Sequence, residues 1–303
     1  MFHSATDCKV PIDLPYYFRG YKFIKLIGSG GTSIVALVEH TKTSRLFTAK
    51  VMSKFDLVDK DLLYSVEKEI SLMRSFDHPN IIKFEETFEI KNVYGDEYVV
   101  VIMEYCKNGD LLTYAMEHGF RNEEEKSQIF GGILKGIQYL HKRGISHGDI
   151  KAENIVIDHN KNPKICDFGY SRTTTIGGDK EKNGTLYYAA PELFSRGEFD
   201  TLKTDIWAFG IMMYALFEKQ FPYAQGNQRS ILKQIKAGKL IFNPHSDKKI
   251  MSLVQKCTKF LPKDRPSIEE IMKDDFFNFI DFHPKQNFDE GWTSSSSEDV
   301  LYD

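Results

Sequence analysis

The stretch His147-Gly148-Asp149-Ile150-Lys151-Ala152-Glu153-Asn154, followed after a short apolar run by Asp167-Phe168-Gly169, holds the residue types that phosphoryl transfer requires. Moving a phosphoryl group onto a hydroxyl needs a carboxylate at the attacking oxygen, a cation beside the moving phosphate and hard oxygen ligands for magnesium. Asp149 offers a carboxylate to orient the hydroxyl and accept its proton, and Lys151, two residues on, offers the cation. Asn154 brings a neutral carbonyl oxygen and Asp167 an anionic one, donors that magnesium takes alongside nucleotide phosphates and water. Each of these residues alone is equally at home in a plain turn. Order and spacing relative to other elements decide between the two readings.

Those elements occur on both sides. Upstream, Gly28-Ser29-Gly30-Gly31-Thr32-Ser33-Ile34-Val35 lies between the β-rich runs 21–27 and 36–40, which read as a hairpin. Glycines at its tip let backbone N–H groups approach phosphate oxygens with no Cβ in the way. Lys50 sits in the next apolar run, Phe47-Thr48-Ala49-Lys50-Val51-Met52, and one helix is expected near 59 to 75. Glu67 and Glu69 both compete on that helix to hold the lysine; Ile70 and Met73, three apart on an inward stripe, favour Glu69. Residues 81–84 and 98–103 read as two strands joined by a polar hairpin containing Asn92 and Gly95-Asp96.

Downstream the pattern turns helical. Asn122 with Glu125 three residues later is a capping-box signature, and Ile129, Ile133, Ile137 and Leu140 continue an apolar face, so a helix should run to about Lys142 and deliver the loop bearing Asp149. Asp205-Ile206-Trp207-Ala208-Phe209-Gly210 opens an apolar helix reaching about Glu218, a candidate for the centre of a helical core.

Together these segments resemble the eukaryotic protein kinase family, serine/threonine type, over about residues 20 to 280. The resemblance implies an α+β, bilobal kinase-like fold: a small sheet-rich N-lobe with one helix (about 18–103), a hinge (about 104–109) and a larger, mainly helical C-lobe (about 110–281). Residues 1–17 would be an N-terminal extension and 282–303 an acidic, serine-rich flexible tail containing Ser294 to Ser297. The expected ligands are ATP and Mg2+, the expected partners protein substrates with serine or threonine acceptors.

Roles carry over by position. Asp149, Lys151, Asn154 and Thr185 match the catalytic set, Thr185 bridging the base and the lysine; Asn154 and Asp167 match the metal ligands. Ile27, Gly28, Ser29, Gly30, Gly31 and Val35 match the lid over the nucleotide, and Lys50, held by Glu69, the contact to its α- and β-phosphates. Met103 falls at the gate of the pocket, Glu104-Tyr105-Cys106 at the hinge whose main chain bonds the adenine edge, and Glu153 and Asp110 at its lower rim. Asp110 can reach ribose hydroxyls or a basic substrate side chain, cap the helix that begins at Leu111, or do both. Met73, Phe84, His147 and Phe168 match four stacked positions linking the lobes, with Asp205 beneath anchoring the catalytic-loop backbone, and Glu192 and Arg265 match a buried ion pair.

Four departures matter. Ser33 replaces the third glycine of the lid pattern, and Thr48 stands where alanine usually roofs the adenine. Gly148 replaces the arginine that in many kinases couples the catalytic loop to a phosphate on the activation segment. Activity is therefore expected to depend less on phosphorylation of that segment, although Thr173, Thr174, Thr175 and Thr185 are available. Asp110 and Glu153 suggest a modest preference for Arg or Lys upstream of the acceptor, whereas Ala215 replaces a further acidic residue. The alternative is a nucleotide-binding pseudokinase acting as a scaffold; Lys50, Glu69, Asp149, Lys151, Asn154 and Asp167, all of the right type, speak against it. A small-molecule kinase would lack the platform from Gly184-Thr185 to Glu192.

Composition agrees without deciding anything. The 303 residues include 40 basic and 43 acidic side chains, a formal charge of −3, which gives no argument for nucleic acid as a partner. No apolar run reaches the length of a membrane span and the N-terminus has no signal-peptide pattern, so the expected location is intracellular, in the cytoplasm with the nucleus left open. Cys8, Cys106, Cys166 and Cys257 read as free thiols. Cys166, just before Asp167, is expected to line the nucleotide pocket and to be open to alkylation there.

Overall fold

The computed structural model describes residues 17–282 apart from 31–32, 93, 174–175, 178–184, 196, 224–227, 239 and 281. Cys8, Gly31, Thr32, Thr174, Thr175, Gly184 and, apart from Tyr17 and Phe282, the extension and the tail lie outside the described residues. The N-terminal half is an antiparallel sheet in the order β1-β2-β3-β4-β6-β5: β1 (Tyr17–Phe18), β2 (Tyr21–Ser29), β3 (Ser33–His40), β4 (Leu46–Ser53), β5 (Phe84–Lys91) and β6 (Glu97–Glu104). Two helices cross it, α1 (Lys54–Asp59) and α2 (Leu63–Ser75).

Period-two alternation assigns the faces of this sheet. Phe23, Ala36, Val38, Ala49, Val51, Val100 and Ile102 build a cluster on one side, while Met52, Val99 and Val101 join Met73 of α2 and the helical core on the other. Lys50, between Ala49 and Val51, must therefore point to the α2 side.

Two expectations for this half need correction. One helix was expected; there are two, because the Ser53 side chain accepts the Asp56 N–H to start α1 and Asp61, at φ 54°, breaks the run before α2. Residues 81–84 were expected as a strand against 98–103; the strand starts only at Phe84. Ile81 and Ile82 belong to the other half, the Ile82 N–H bonding the Ile165 carbonyl at 2.9 Å and the Ile165 N–H the Asn80 carbonyl at 2.9 Å.

The second half contains α3 (Leu111–His118), α4 (Glu123–His141), the hairpin β7 (Ile155–Ile157) and β8 (Pro163–Ile165), the short pair β9 (Ile176–Gly177) and β10 (Phe199–Asp200), then α5 (Thr201–Glu218), α6 (Gln228–Ala237), α7 (Lys248–Cys257) and α8 (Ile268–Ile271). The two halves thus form the α+β, sheet-plus-helical architecture expected. In α4 the Asn122 side chain accepts the Glu125 N–H at 2.8 Å. The return bond of a capping box goes elsewhere: the Glu125 carboxylate takes the Arg121 N–H, the Tyr114 hydroxyl and Lys161. Ile129, Ile133, Ile137 and Leu140 are all buried, and α5, which starts four residues before Asp205, is buried nearly all round. Among the described residues no helix is long and apolar enough to cross a membrane.

Arg265 locks this half from within. Its guanidinium grips Glu192 through two bonds of 2.5 and 2.7 Å, donates to the Lys203, Lys259 and Phe260 carbonyls, and stacks over Trp207 at 4.9 Å. The side chain has no exposed surface, so removing it strands a buried carboxylate and three carbonyls. Arg265→Ala should cost about 3–5 kcal/mol in urea unfolding, with no rescue by Lys, which lacks the planar fork. A loss below about 1 kcal/mol would contradict that account.

Candidate active site

A cleft of ≈ 660 Å³ separates the sheet from the helical half. Ile27, Gly28, Ser29, Gly30 and Val35 of the hairpin line its upper side, Met103, Glu104 and Cys106 its back, and Asp110, Glu153, Asn154 and Asp167 its lower side. At the hairpin tip the Gly30 N–H donates to the Ser33 carbonyl at 2.7 Å, and β3 already begins at Ser33. Thr48 is in the wall, as the departure from alanine implies. Sequence reasoning missed Ile82 and Val156, which close the cleft from below and behind. Val156 had a signal, its place in the apolar run Ile155-Val156-Ile157; Ile82 was assigned to a strand.

Lys50 projects from β4 into the cleft, where its Nζ lies 2.8 Å from Glu69 Oε1 and 3.4 Å from Asp167 Oδ1. Glu67, two residues earlier and so on the opposite face of α2, is exposed. Burial works against the charge on Lys50, but Glu69 and Asp167 outweigh it and hold the ammonium's pKa above its ordinary value. Burial likewise opposes the charge on Asp167, and Lys50, His147 and Lys151 prevail and keep its pKa below the usual carboxylate value. Lysine and carboxylate are thus both charged at neutral pH.

Asp149 is buried and held from three sides. Lys151 Nζ lies 2.6 Å from its Oδ2, the Asn154 amide donates to the same oxygen at 3.0 Å, and the Thr185 N–H donates to Oδ1 at 3.0 Å. Lys151 also donates to the Thr185 hydroxyl at 2.9 Å. With its nitrogen committed to Asp149, Asn154 has its amide oxygen left to serve the cleft. Among the described residues no group of three or more His, Cys, Asp or Glu could hold a metal alone. Asn154 and Asp167 could supply two oxygen ligands, a number that would suit magnesium, a cation that completes its shell with substrate phosphates and water.

The backbone beneath is fixed by Asp205 of α5, whose carboxylate accepts the His147 and Gly148 N–H groups at 2.9 Å each and meets His141 Nε2 at 2.9 Å. The His147 and Phe168 rings meet edge to face at 5.2 Å, and Met73 is buried in the same core. Phe84 packs only partly buried at its margin, under Arg74, and it is Phe76, unforeseen, whose ring lies 4.9 Å from Phe168.

Three side chains are more committed than expected. Both Asp110 oxygens are engaged at the start of α3, one by the Thr113 N–H and one by its hydroxyl, at 2.9 and 2.8 Å. Capping is therefore its observed role, and a ribose contact would have to share those oxygens. The Thr185 hydroxyl is spent between Lys151 and Asp149, which removes it as a convenient phosphorylation site. Glu153 Oε2 accepts the Tyr188 hydroxyl at 3.3 Å.

Residues 21–277 match the family described as protein kinase domain. The chain belongs to the protein kinase family. A probable serine/threonine-protein kinase of Dictyostelium discoideum is 33% identical over 268 residues, covering 85% of this chain and 31% of that protein. The serine/threonine protein kinase OSK3 of Oryza sativa subsp. indica is 30% identical over 260 residues, 86% of this chain and 50% of its own length. The chain thus spans half or less of the length of these curated relatives.

Cys166 does line the cleft, but its environment argues against the expected alkylation. Its thiol donates to the Asn154 carbonyl at 3.3 Å, and burial, with Asp167 next, pushes its pKa upward. Cys106 is pushed up to about 12, also chiefly by burial. Thiolate is the reactive form, so Cys166 should react with iodoacetamide far more slowly than an ordinary free thiol at neutral pH, with a rate still rising above about pH 9. Peptide mass spectrometry across pH checks this; rapid labelling at pH 7 would contradict it.

Proposed function

We propose that this kinase transfers the γ-phosphoryl group of ATP to serine and threonine hydroxyls of protein substrates. One observation carries the reading: Asp149, Lys151 and Thr185 are hydrogen-bonded into a single cluster whose fourth member, Asn154, lines the cleft that Lys50, Glu69 and Asp167 also share. The adenine would lie between Ile27, Val35 and Thr48 above and Val156 below, its phosphates directed toward Lys50. Glu69 would keep that ammonium in place on the α- and β-phosphate oxygens. Asn154 and Asp167 would hold Mg2+, which supplies positive charge to offset that of the phosphates.

Asp149 would orient the acceptor hydroxyl and take its proton, while Lys151 stabilises the charge on the transferred group. Thr185 would keep the two at fixed separation. The segment from Thr185 to Glu192 would support the substrate chain, inside the cell where ATP is plentiful. Glu153, at the rim, supports a modest preference for Arg or Lys upstream of the acceptor. The matched span 21–277 supports a kinase domain with the boundaries expected from the sequence, about 18–281.

The test is Mg2+-dependent incorporation of phosphate from ATP into a serine/threonine peptide library. Serine and threonine peptides should be labelled, and Asp149→Asn should lower kcat about 10²–10⁴-fold. Nucleotide binding without incorporation would instead support the scaffold reading. Because Gly148 offers no arginine for a phosphate to neutralise, activity should survive phosphatase treatment; its abolition would contradict that expectation.

A further inference from the structure

Gly148 does more than lack an arginine. Its φ is +80°, and a Cβ placed on it would lie 2.6 Å from the carbonyl oxygen of Tyr170 and 3.3 Å from the carbonyl carbon. Those atoms are backbone and cannot swing aside as the tip of a side chain can. Around this contact the two chain segments are stitched together. Ser146 and Arg172 exchange both backbone hydrogen bonds at 3.0 Å, the Ser171 hydroxyl donates to the His147 carbonyl at 3.2 Å, and the His147 ring meets the Cys166 carbonyl at 3.1 Å. One strand of this seam continues into Asp149; the other carries Asp167.

We infer that Gly148 is a positioning residue: its missing side chain lets the Tyr170 carbonyl seat on the catalytic loop, and this close approach sets Asp167 relative to Asp149. The consequence for catalysis rests on the phosphoryl-transfer reading above; the geometry does not. A side chain at 148 pushes the segment after Asp167 outward and moves the metal-side carboxylate against the base. The Lys50–Glu69 pair and the walls of the adenine cleft belong to other elements and stay in place. The damage therefore falls on turnover more than on nucleotide affinity.

Gly144 provides an internal control. It too has positive φ, +68°, yet a Cβ there meets nothing within 4 Å. Alanine at 144 suffers the backbone penalty alone; alanine at 148 adds the collision. Asparagine separates the two effects further, since it tolerates left-handed backbone but still carries a Cβ.

The experiment compares Gly148→Ala, Gly148→Asn and Gly144→Ala in the full 303-residue chain, by steady-state kinetics and by amide hydrogen exchange at Ser171 and Arg172. Both Gly148 variants should lower kcat about 10-fold or more, with KM for ATP changed less than about 3-fold, while Gly144→Ala stays within about 2-fold of the parent. The Arg172 amide should exchange faster in the Gly148 variants alone. Gly148→Asn matching the parent in turnover and exchange would overturn the inference, as would an equal loss in Gly144→Ala. Loss of cooperative unfolding in both Gly148 variants would reduce the contact to a structural one and also overturn it. If the parent chain transfers no phosphate, the proposed function fails, and the exchange data still decide the seam.

Discussion

The Asp205 carboxylate is the constraint from which the site is built. The loop from His147 to Lys151 is neither helix nor strand, so its N–H groups have no ladder to satisfy them, and it passes through the interior. Asp205 is almost fully buried on a helix that is itself buried nearly all round, and it accepts two consecutive N–H groups of that loop. Hydrogen bonds to a charged acceptor contribute about 1.5–3 kcal/mol each, more than neutral ones, and a bidentate pair also sets direction. An irregular segment thereby acquires the rigidity of α5. Asp149, the next residue, inherits its position.

The upper half of the site depends on charge in a different way. Strand alternation sends Lys50 toward α2, but burying an ammonium there would be costly without partners. Glu69 and Asp167 provide them, one from the sheet half and one from the helical half, so the lysine is shared across the cleft. The same arrangement leaves Lys50 and Lys151 as cations near the space where phosphates would lie. The carboxylates keep them aimed before any ligand arrives, which is what preorganisation means for a highly charged substrate.

Much of this was legible in local pattern. The face of α4 and the choice of Glu69 over Glu67 follow from a period of about 3.6, while the Gly-rich hairpin, the strand bearing Lys50 and the all-round burial of α5 follow from the composition of local runs, and all of these are properties of neighbouring residues. The failures share one cause. Helix α1 is six residues long, too short to display a period, and is declared only by the Ser53 cap and the break at Asp61. Residues 81–82 have strand composition, but they bridge to Ile165, more than eighty residues away, through the Ile82 N–H and the Asn80 carbonyl.

Residue types and their order therefore identified which side chains could do the chemistry, because a carboxylate, an amide or an ammonium carries its reactivity wherever it sits. Folding assigned their partners. That Asp110 is occupied by Thr113, that the Cys166 thiol is buried against the Asn154 carbonyl, and that a backbone oxygen of Tyr170 rests where Gly148 has no side chain are facts of close approach. The last two are approaches between segments distant in the chain. Hydrogen bonding, desolvation and steric exclusion act over a few ångströms, and no one-dimensional spacing encodes which distant segments come that near.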